Sequence, residues 1–386
     1  MKLTPSNKSN EIDFKKFKNY AIEQLKLFNN VGIAISIFSN DKILFEEGIG
    51  YKDNLKKLPF TSRTLFPIGS HTKSITATAM AMLIDEGLTD WEKPIREYIP
   101  EFKLKDPLAS ERATIKDVMS HTTGLPHHQF AFMNSEWNYK DIFKRLPYLD
   151  PLFDFRAKHK YSNLNYFIVT KIIEELSGKT YFSFVKDRIF SPLGMKNTNF
   201  SINETYKLSD YTKGYKESEN GFIEEEYIDL QYISAGAGSV NSCLEDMSKW
   251  IQFHLNKGKV NGKELISEKT LSNLYIQQKL DFNPFVAIIS EKNYFTNYGF
   301  ALGWWNLDYR GTKIIQHYGT GPGLLFNGGF LPYNNIGFVI FSNTSGSDIP
   351  FYLNLYIADQ VLGLEPFDMG ARLKKFNDMQ QATIAE

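Results

Sequence analysis

The chain has 386 residues, 42% of them hydrophobic and 15% aromatic, enough apolar material to pack one large domain or two ordinary ones. Lys plus Arg equal Asp plus Glu at 44 each, so no net field draws the protein to nucleic acid or to an anionic membrane surface. The one cysteine, Cys243, cannot form an intramolecular disulfide, and no cysteine cluster offers a zinc site; it reads as a small buried apolar residue.

Residues 1–30 lack the roughly 7–15-residue apolar core of a signal peptide, and no run of about 18 apolar residues occurs, so the expectation is a cytoplasmic protein with no membrane partner. Phe14, Phe17, Ala21, Leu25 and Phe28 recur at helical spacing. From Val31 to Phe38 the pattern alternates, with Ile33, Ile35 and Ile37 on one face. Ser39-Asn40-Asp41-Lys42 is a turn, and Ile43 to Ile49 reads as a second strand. From Ser70 to Ile84 apolar residues nearly encircle a helix that Gly87 stops. Such a helix is expected to be buried centrally. Its polar first turn, Ser70-His71-Thr72-Lys73, fits there if that turn faces a cleft.

Residues from about 106 to 285 read as helices and irregular loops, with a Thr114/Asp117 capping pattern and a helix from Asn163 to Leu176 that ends at Ser177-Gly178. Strands return at Phe300 to Leu307, Thr312 to His317, Leu324 to Leu331 and Ile336 to Phe341, and a helix follows near Phe351 to Leu362. A hairpin at the start and a meander at the end join most economically as one antiparallel sheet flanked by helices, an α/β (α+β) architecture. Residues 1–105 and 286–386 would form this domain and 106–285 an inserted, mainly helical one, with the active site in the cleft between them.

Ser70 and Lys73 are three apart at a helix start, so the amine lies one turn from the hydroxyl that it can activate. Free N–H groups and the positive end of the helix dipole suit a developing oxyanion there. Ser39…Lys42 and Ser183…Lys186 have the same spacing, but the first crosses a turn and the second lies within an amphipathic helix.

Gly69-Ser70-His71-Thr72-Lys73-Ser74, Met119-Ser120-His121-Thr122-Thr123-Gly124-Leu125-Pro126, Tyr161-Ser162-Asn163, Phe190-Ser191-Pro192-Leu193-Gly194-Met195 and His317-Tyr318-Gly319 follow one another in this order. Together they resemble the serine β-lactamase and penicillin-binding-protein superfamily, in the branch related to class C β-lactamases, DD-peptidases, D-aminopeptidases and esterases. The resemblance implies a β-lactamase/transpeptidase-like fold and an acyl-enzyme mechanism with no metal and no organic cofactor. It implies Ser70 as nucleophile and Lys73 as the group that helps deprotonate it. Tyr161 would be a phenolate base or proton shuttle, and Asn163 would bond Lys73 and the substrate amide. The oxyanion donors would be the N–H groups of Ser70 and Thr320, with Gly319 letting the strand approach the substrate. Tyr333-Asn334-Asn335 and Tyr352-Leu353-Asn354 share the Tyr-x-Asn pattern but lie in a hairpin turn and the terminal helix.

The third motif departs from class C enzymes, where lysine stands in the place of His317. An ordinary histidine is largely neutral at pH 7 and becomes cationic near 6.5, which disfavours a carboxylate-bearing β-lactam at neutral pH. The expected substrate is a D-amino-acid peptide or a small carboxylic ester, with a β-lactam third. The alternatives are an acyltransferase using the same acyl-enzyme and a catalytically idle binding or assembly protein. His121, His127 and His128 match no metal-ligand spacing; the latter two are candidates for the cleft mouth. His71 reads as a packing residue, and Trp304 and Trp305 point to opposite faces of a strand, one into the core. The sequence fixes no oligomeric state.

Overall fold

A computed structural model describes residues 11–127, 137–230, 235–280 and 294–375. At its centre is an eight-stranded antiparallel sheet: β1 Gly32–Phe38, β2 Ile43–Gly50, β3 Lys279–Leu280, β4 Phe295–Phe300, β5 Trp305–Tyr309, β6 Thr312–Gly321, β7 Leu324–Leu331 and β8 Ile336–Ser342. Their order across the sheet is β2-β1-β8-β7-β6-β5-β4-β3. The N-terminal hairpin and the C-terminal meander therefore join in one sheet, through β1 against β8 with Ile35 opposite Ile340. The short β3 adds an edge that no alternating pattern announces.

Both faces of the sheet are covered, which is why β1 is apolar at almost every position. Ile33, Ile35 and Ile37 face helices α1 (Phe14–Leu27) and α5 (Ile349–Val361) in a core with Phe17, Tyr20, Leu353 and Ile357. Ala34 and Phe38 face the opposite core, which holds α2 (Thr72–Asp85), α3 (Asn163–Ser177) and α4 (Leu244–Leu255). Ser36 on that face bonds Ser248 of α4 across 2.9 Å. Residues 106–285 thus supply α3 and neighbouring helices, and also one helix laid on the sheet and one edge strand. The expected boundary at 285/286, and His128, lie outside the described residues.

The expected strand from Phe300 to Leu307 is divided at residues 301–304, so Trp304 lies in the turn between β4 and β5 and only Trp305 in a strand; the two face different cores and both are buried. Trp304 belongs to the core around α2, and Trp305 stacks on Tyr298 and meets Phe300 edge-on. Cys243 is buried and free, and burial pushes its thiol pKa up to about 12. Among the described residues no helix is long and apolar enough to cross a membrane.

Helix α2 is buried from Thr72 to Leu83. Of its internal threonines, Thr78 satisfies its hydroxyl within the helix on the Ser74 carbonyl, while Thr76 turns its hydroxyl outward to the Gly236 carbonyl. Gly87, at φ +75°, closes it, and its N–H bonds the Ile84 carbonyl. The approach to α2 is fixed by a short strand, Phe66–Pro67, paired with Asn241–Ser242. Phe66 is fully buried, stacked on Phe341 of β8 at 4.2 Å between centroids and tilted on Phe326 of β7 at 5.9 Å.

That ring anchors the segment leading to Ser70. Phe66→Ala should lower unfolding free energy by about 3–5 kcal/mol in urea denaturation, through lost burial and the cavity left against the sheet. A loss under about 1 kcal/mol would mean that the ring does not hold this segment.

Candidate active site

Ser70 lies in a one-turn helix, Gly69–His71, that runs directly into α2. Lys73, one turn on, is fully buried. Its Nζ is 3.1 Å from Ser70 Oγ, and it donates to Asn163 Oδ1 at 2.6 Å and to the Ala237 carbonyl at 2.7 Å. Asn163 opens α3, and Ala237 sits in the short helix Ala235–Gly238, so three separate chain segments converge on one amine. No carboxylate lies within ion-pair distance of it among the described residues. Burial therefore drives the Lys73 pKa well below the ordinary value of 10.5.

Tyr161 lies just before α3, with its ring centroid 4.8 Å from Lys73 Nζ. Its hydroxyl is buried, and burial pushes its pKa up; the Ser70 hydroxyl moderates that rise, yet no hydrogen bond of ordinary geometry joins the two. The ring is braced by His121 at 4.6 Å and His127 at 5.8 Å between centroids, and His127 Nδ1 donates to the Tyr161 carbonyl across 3.1 Å. His121 is itself buried, with Nδ1 accepting from the Ser162 N–H at 3.3 Å and 3.2 Å from Asn165 Nδ2. It holds the tyrosine loop against α3. Among the described residues there is no group of three or more His, Cys, Asp or Glu that could hold a metal ion.

Strand β6 forms the opposite wall. Pairing with β5 ends at Gln316, while pairing with β7 continues to Gly321, so residues 317–321 have a free edge among the described residues. A Cβ at Gly319 would lie 1.9 Å from the Ile68 carbonyl oxygen, closer than any side chain can come. Gly69 has φ +51°, and a Cβ there would meet the Thr320 N–H nitrogen at 3.1 Å. Both positions need glycine, and their contact brings Thr320 beside the Ser70 turn. His71 adds a polar tie: its Nδ1 donates to the His317 carbonyl at 3.0 Å. Buried in apolar surroundings, His71 has its pKa lowered to about 4 and stays neutral at ordinary pH.

His317 is buried with Nδ1 donating to the Tyr318 carbonyl at 2.7 Å, which leaves Nε2 unprotonated and without a hydrogen-bond partner among the described residues. Burial first, then Lys73 and His71, push its pKa well below 6.5. The expectation that it gains charge near pH 6.5 is therefore corrected: a desolvated imidazole beside an amine resists protonation.

A family model described as Beta-lactamase matches residues 23–362. The chain belongs to the beta-lactamase family. A teichoic acid D-alanine hydrolase of Staphylococcus aureus is 31% identical over 254 residues, 65% of this chain and 59% of the relative. An unguisins hydrolase of Aspergillus violaceofuscus is 26% identical over 398 aligned residues, 98% of this chain and 70% of the relative. Among solved structures, a penicillin-binding protein homologue from Pyrococcus abyssi, described as octameric, superposes with TM-score 0.79 at 23% identity, over 92% of this chain and 78% of its own. The D-amino acid amidase of Ochrobactrum anthropi SV3 in complex with L-phenylalanine amide gives TM-score 0.72 at 23% identity, over 90% and 98%. These likenesses bear out the β-lactamase/transpeptidase-like fold.

In this β-lactamase-family chain, Ser70, Lys73, Tyr161, Asn163, His317, Gly319 and Thr320 come from three distant stretches of sequence, and the fold gathers them around the start of α2. The competing pairs are engaged elsewhere. The Ser39 hydroxyl bonds Asp41 in its turn, and the Ser183 hydroxyl accepts from Thr180. Tyr333 is exposed in its hairpin, and Asn354 is buried in α5 on Gln316. The Ala237 carbonyl escapes sequence reading because a backbone oxygen has no residue signature; the run Ala235-Gly236-Ala237-Gly238 is the one hint, since a Cβ at Gly236 would lie 2.1 Å from Thr170 Oγ1.

The depressed Lys73 pKa makes a stability prediction. Between the low folded value and the unfolded value near 10.5, the unfolded chain carries a proton that the folded one does not, so this lysine makes stability rise with pH. Relative to Lys73→Met, the wild type should gain up to about 1.4 kcal/mol per pH unit from pH 7 toward 10 in urea titrations. A flat difference would show that the ammonium survives folding.

Proposed function

We propose that this chain is a serine hydrolase that cleaves an amide or ester bond through an acyl-Ser70 intermediate. The observation that carries the reading is the match between Lys73 and its three neighbours. A neutral amine has two N–H groups and one lone pair. Two carbonyl oxygens, of Asn163 and Ala237, take the N–H groups, and the lone pair is left for the Ser70 hydroxyl at 3.1 Å.

In the proposed first step Ser70 Oγ bonds to the substrate carbonyl carbon as its proton passes to Lys73 Nζ. The carbonyl electron pair moves onto oxygen, where the Ser70 and Thr320 N–H groups would stabilise it. Collapse expels the amine or alkoxide, which takes up the proton through Tyr161. A water then attacks the acyl carbon, giving its proton to the same groups and returning Ser70 and the free acid. The raised Tyr161 pKa supports a phenol that relays protons rather than a phenolate base. The domain division at 105/106 and 285/286 belongs to the same proposal, with the substrate in the cleft between the sheet and the mainly helical segment.

A short D-amino-acid peptide, a D-amino acid amide or a small carboxylic ester is the proposed substrate. The names of two relatives, a D-amino acid amidase and a teichoic acid D-alanine hydrolase, support it. A neutral His317 supports ranking β-lactams lower, because it offers no cation to a carboxylate.

Fluorophosphonate labelling with peptide mass mapping should mark Ser70, and Ser70→Ala should be inert. Lys73→Ala and Tyr161→Phe should each lower turnover by about 10²-fold or more, without adding in the double mutant. The rate of kcat/KM should rise with pH through the low Lys73 value and then stay level. A continuing rise above about pH 10 would instead identify a Tyr161 phenolate as the base.

His317→Lys should shift the ratio of kcat/KM for a chromogenic cephalosporin over a neutral nitrophenyl ester toward the cephalosporin, by about tenfold at pH 7.5. In the wild type the ratio should be level between about pH 5.5 and 8, because the buried imidazole does not charge there. A wild-type ratio that climbs as pH falls through about 6.5 would show that His317 titrates like a free histidine.

A further inference from the structure

The segment that leads into Tyr161 passes through a backbone conformation that its residue type does not favour. Arg156, five residues before the tyrosine, has φ +63°. A residue with a Cβ seldom takes this left-handed form, because the Cβ crowds the following carbonyl. His121, on the facing segment, is left-handed too, at φ +57°. Three backbone hydrogen bonds join the two segments. The Leu152 N–H donates to the Gly124 carbonyl at 2.9 Å, the Arg156 N–H to the Thr122 carbonyl at 2.9 Å and the Lys160 N–H to the His121 carbonyl at 3.1 Å. The chain is therefore tied at Arg156 and again at Lys160, and Tyr161 follows directly.

The Arg156 guanidinium grips Asp117 with two prongs, Nε donating to Oδ1 at 2.8 Å and Nη2 to Oδ2 at 2.7 Å. Asp117, in the short helix Ile115–Met119, is itself buried. Its Oδ2 also accepts from the Thr114 N–H at 2.9 Å and the Thr114 hydroxyl at 2.8 Å, and its Oδ1 from the Thr122 hydroxyl at 3.2 Å. Thr122 is the residue whose carbonyl receives the Arg156 N–H, so one carboxylate orients both segments. The Arg156 side chain is 47% exposed, and an ion pair that open to water stabilises a fold little. A fork closed on a fixed carboxylate is directional, however, and sets the course of the chain that carries it. Arg310 is also left-handed, but there the two-residue hairpin Arg310-Gly311 between β5 and β6 demands it. Arg156 lies between no paired strands among the described residues, which leaves the fork to hold its turn.

We propose that the Asp117–Arg156 pair positions Tyr161: the fork holds residue 156 in its left-handed turn, and that turn aims the segment that sets the phenol beside Lys73. Arg156 is thus a positioning residue, remote from the reacting atoms. The proposal rests on the reading of Tyr161 as a proton relay for its effect on rate, though not for the placement of the ring.

Arg156→Ala and Arg156→Gly both delete the fork, but only alanine keeps the steric cost of the left-handed turn. A pair of purely structural value would make glycine the worse variant, because glycine loosens the unfolded chain. The expected order in turnover is the reverse. Arg156→Ala should lower kcat about tenfold with KM changed by less than about twofold, and Arg156→Gly should recover most of that loss. In the Tyr161→Phe background the alanine substitution should cost less than about twofold, because the group it misplaces is gone. Equal losses in both backgrounds, a loss confined to KM, or glycine no better than alanine would overturn the proposal.

A second readout needs no turnover. In protein labelled with 3-fluorotyrosine, the Tyr161 fluorine resonance, identified by its loss in Tyr161→Phe, should shift in Arg156→Ala and return toward its wild-type position in Arg156→Gly. An unmoved resonance in Arg156→Ala would overturn the proposal whatever the rates. A shifted resonance, with Tyr161→Phe as active as the wild type, would uphold the placement and count against the relay reading alone.

Discussion

A lysine amine buried with no counter-charge among the described residues is the constraint around which this molecule is arranged. An ammonium in that position loses its hydration and gains no carboxylate, so the neutral amine is the favoured form. A neutral amine still needs acceptors for its two N–H groups. They come from residues 90 and 164 positions along the chain, Asn163 and Ala237. Helix α3 and the Ala235–Gly238 turn must therefore both reach the first turn of α2. Gly236 has no room for a side chain against Thr170 and Thr76, because the turn is pressed between the two helices. Thr76 bonds the Gly236 carbonyl at 2.7 Å and Tyr181 at 2.8 Å, fastening the same turn one helical step below the amine.

The sheet completes the other half of the site by steric fit. Gly319 and Gly69 let β6 approach the Ser70 turn to backbone contact, and His71 ties the same turn to the His317 carbonyl. The His71 ring lies over Gly328, the residue opposite His317 in β7, where a Cβ would come 3.0 Å from its Cε1. A buried imidazole with Nε2 unpaired among the described residues is a costly way to fill space, since the unmade hydrogen bond costs about 1–3 kcal/mol. An apolar residue would pack there at less cost but could not hold the strand. Ser70 is thus held between a helical wall that carries the Lys73 amine and the edge of a strand in backbone contact with its turn.

Periodicity made most of the framework legible. Alternation at Ile33, Ile35 and Ile37 and the apolar circumference of α2 follow from burial on one or both sides, which residue type reports directly. The Ser70/Lys73 pair stood out from Ser39 and Ser183 because a polar first turn on a buried helix is inconsistent unless a cleft lies there. Other features leave no such trace. A two-residue edge strand such as β3 is too short to alternate, and nothing in the sequence of α4 says that a sheet receives it. Alternation assigned Trp304 and Trp305 to opposite faces of one strand but showed neither the turn at residues 301–304 nor that both faces are covered. Sequence gives His317 an ordinary titration, and only its burial beside Lys73 and His71 reveals the opposite.

The electrostatics of the site follow from the same burial. Lys73, His71, His121 and His317 are all held toward their neutral forms, and Tyr161 keeps its proton, so the reacting centre is lined by polar groups without formal charge. Lys73 contributes to the lowering at both His121 and His317. Any one of these groups that gains a proton makes the next protonation harder, so the cluster resists acid as a unit. Such a centre attracts substrates by hydrogen bonding and shape and discriminates little by charge.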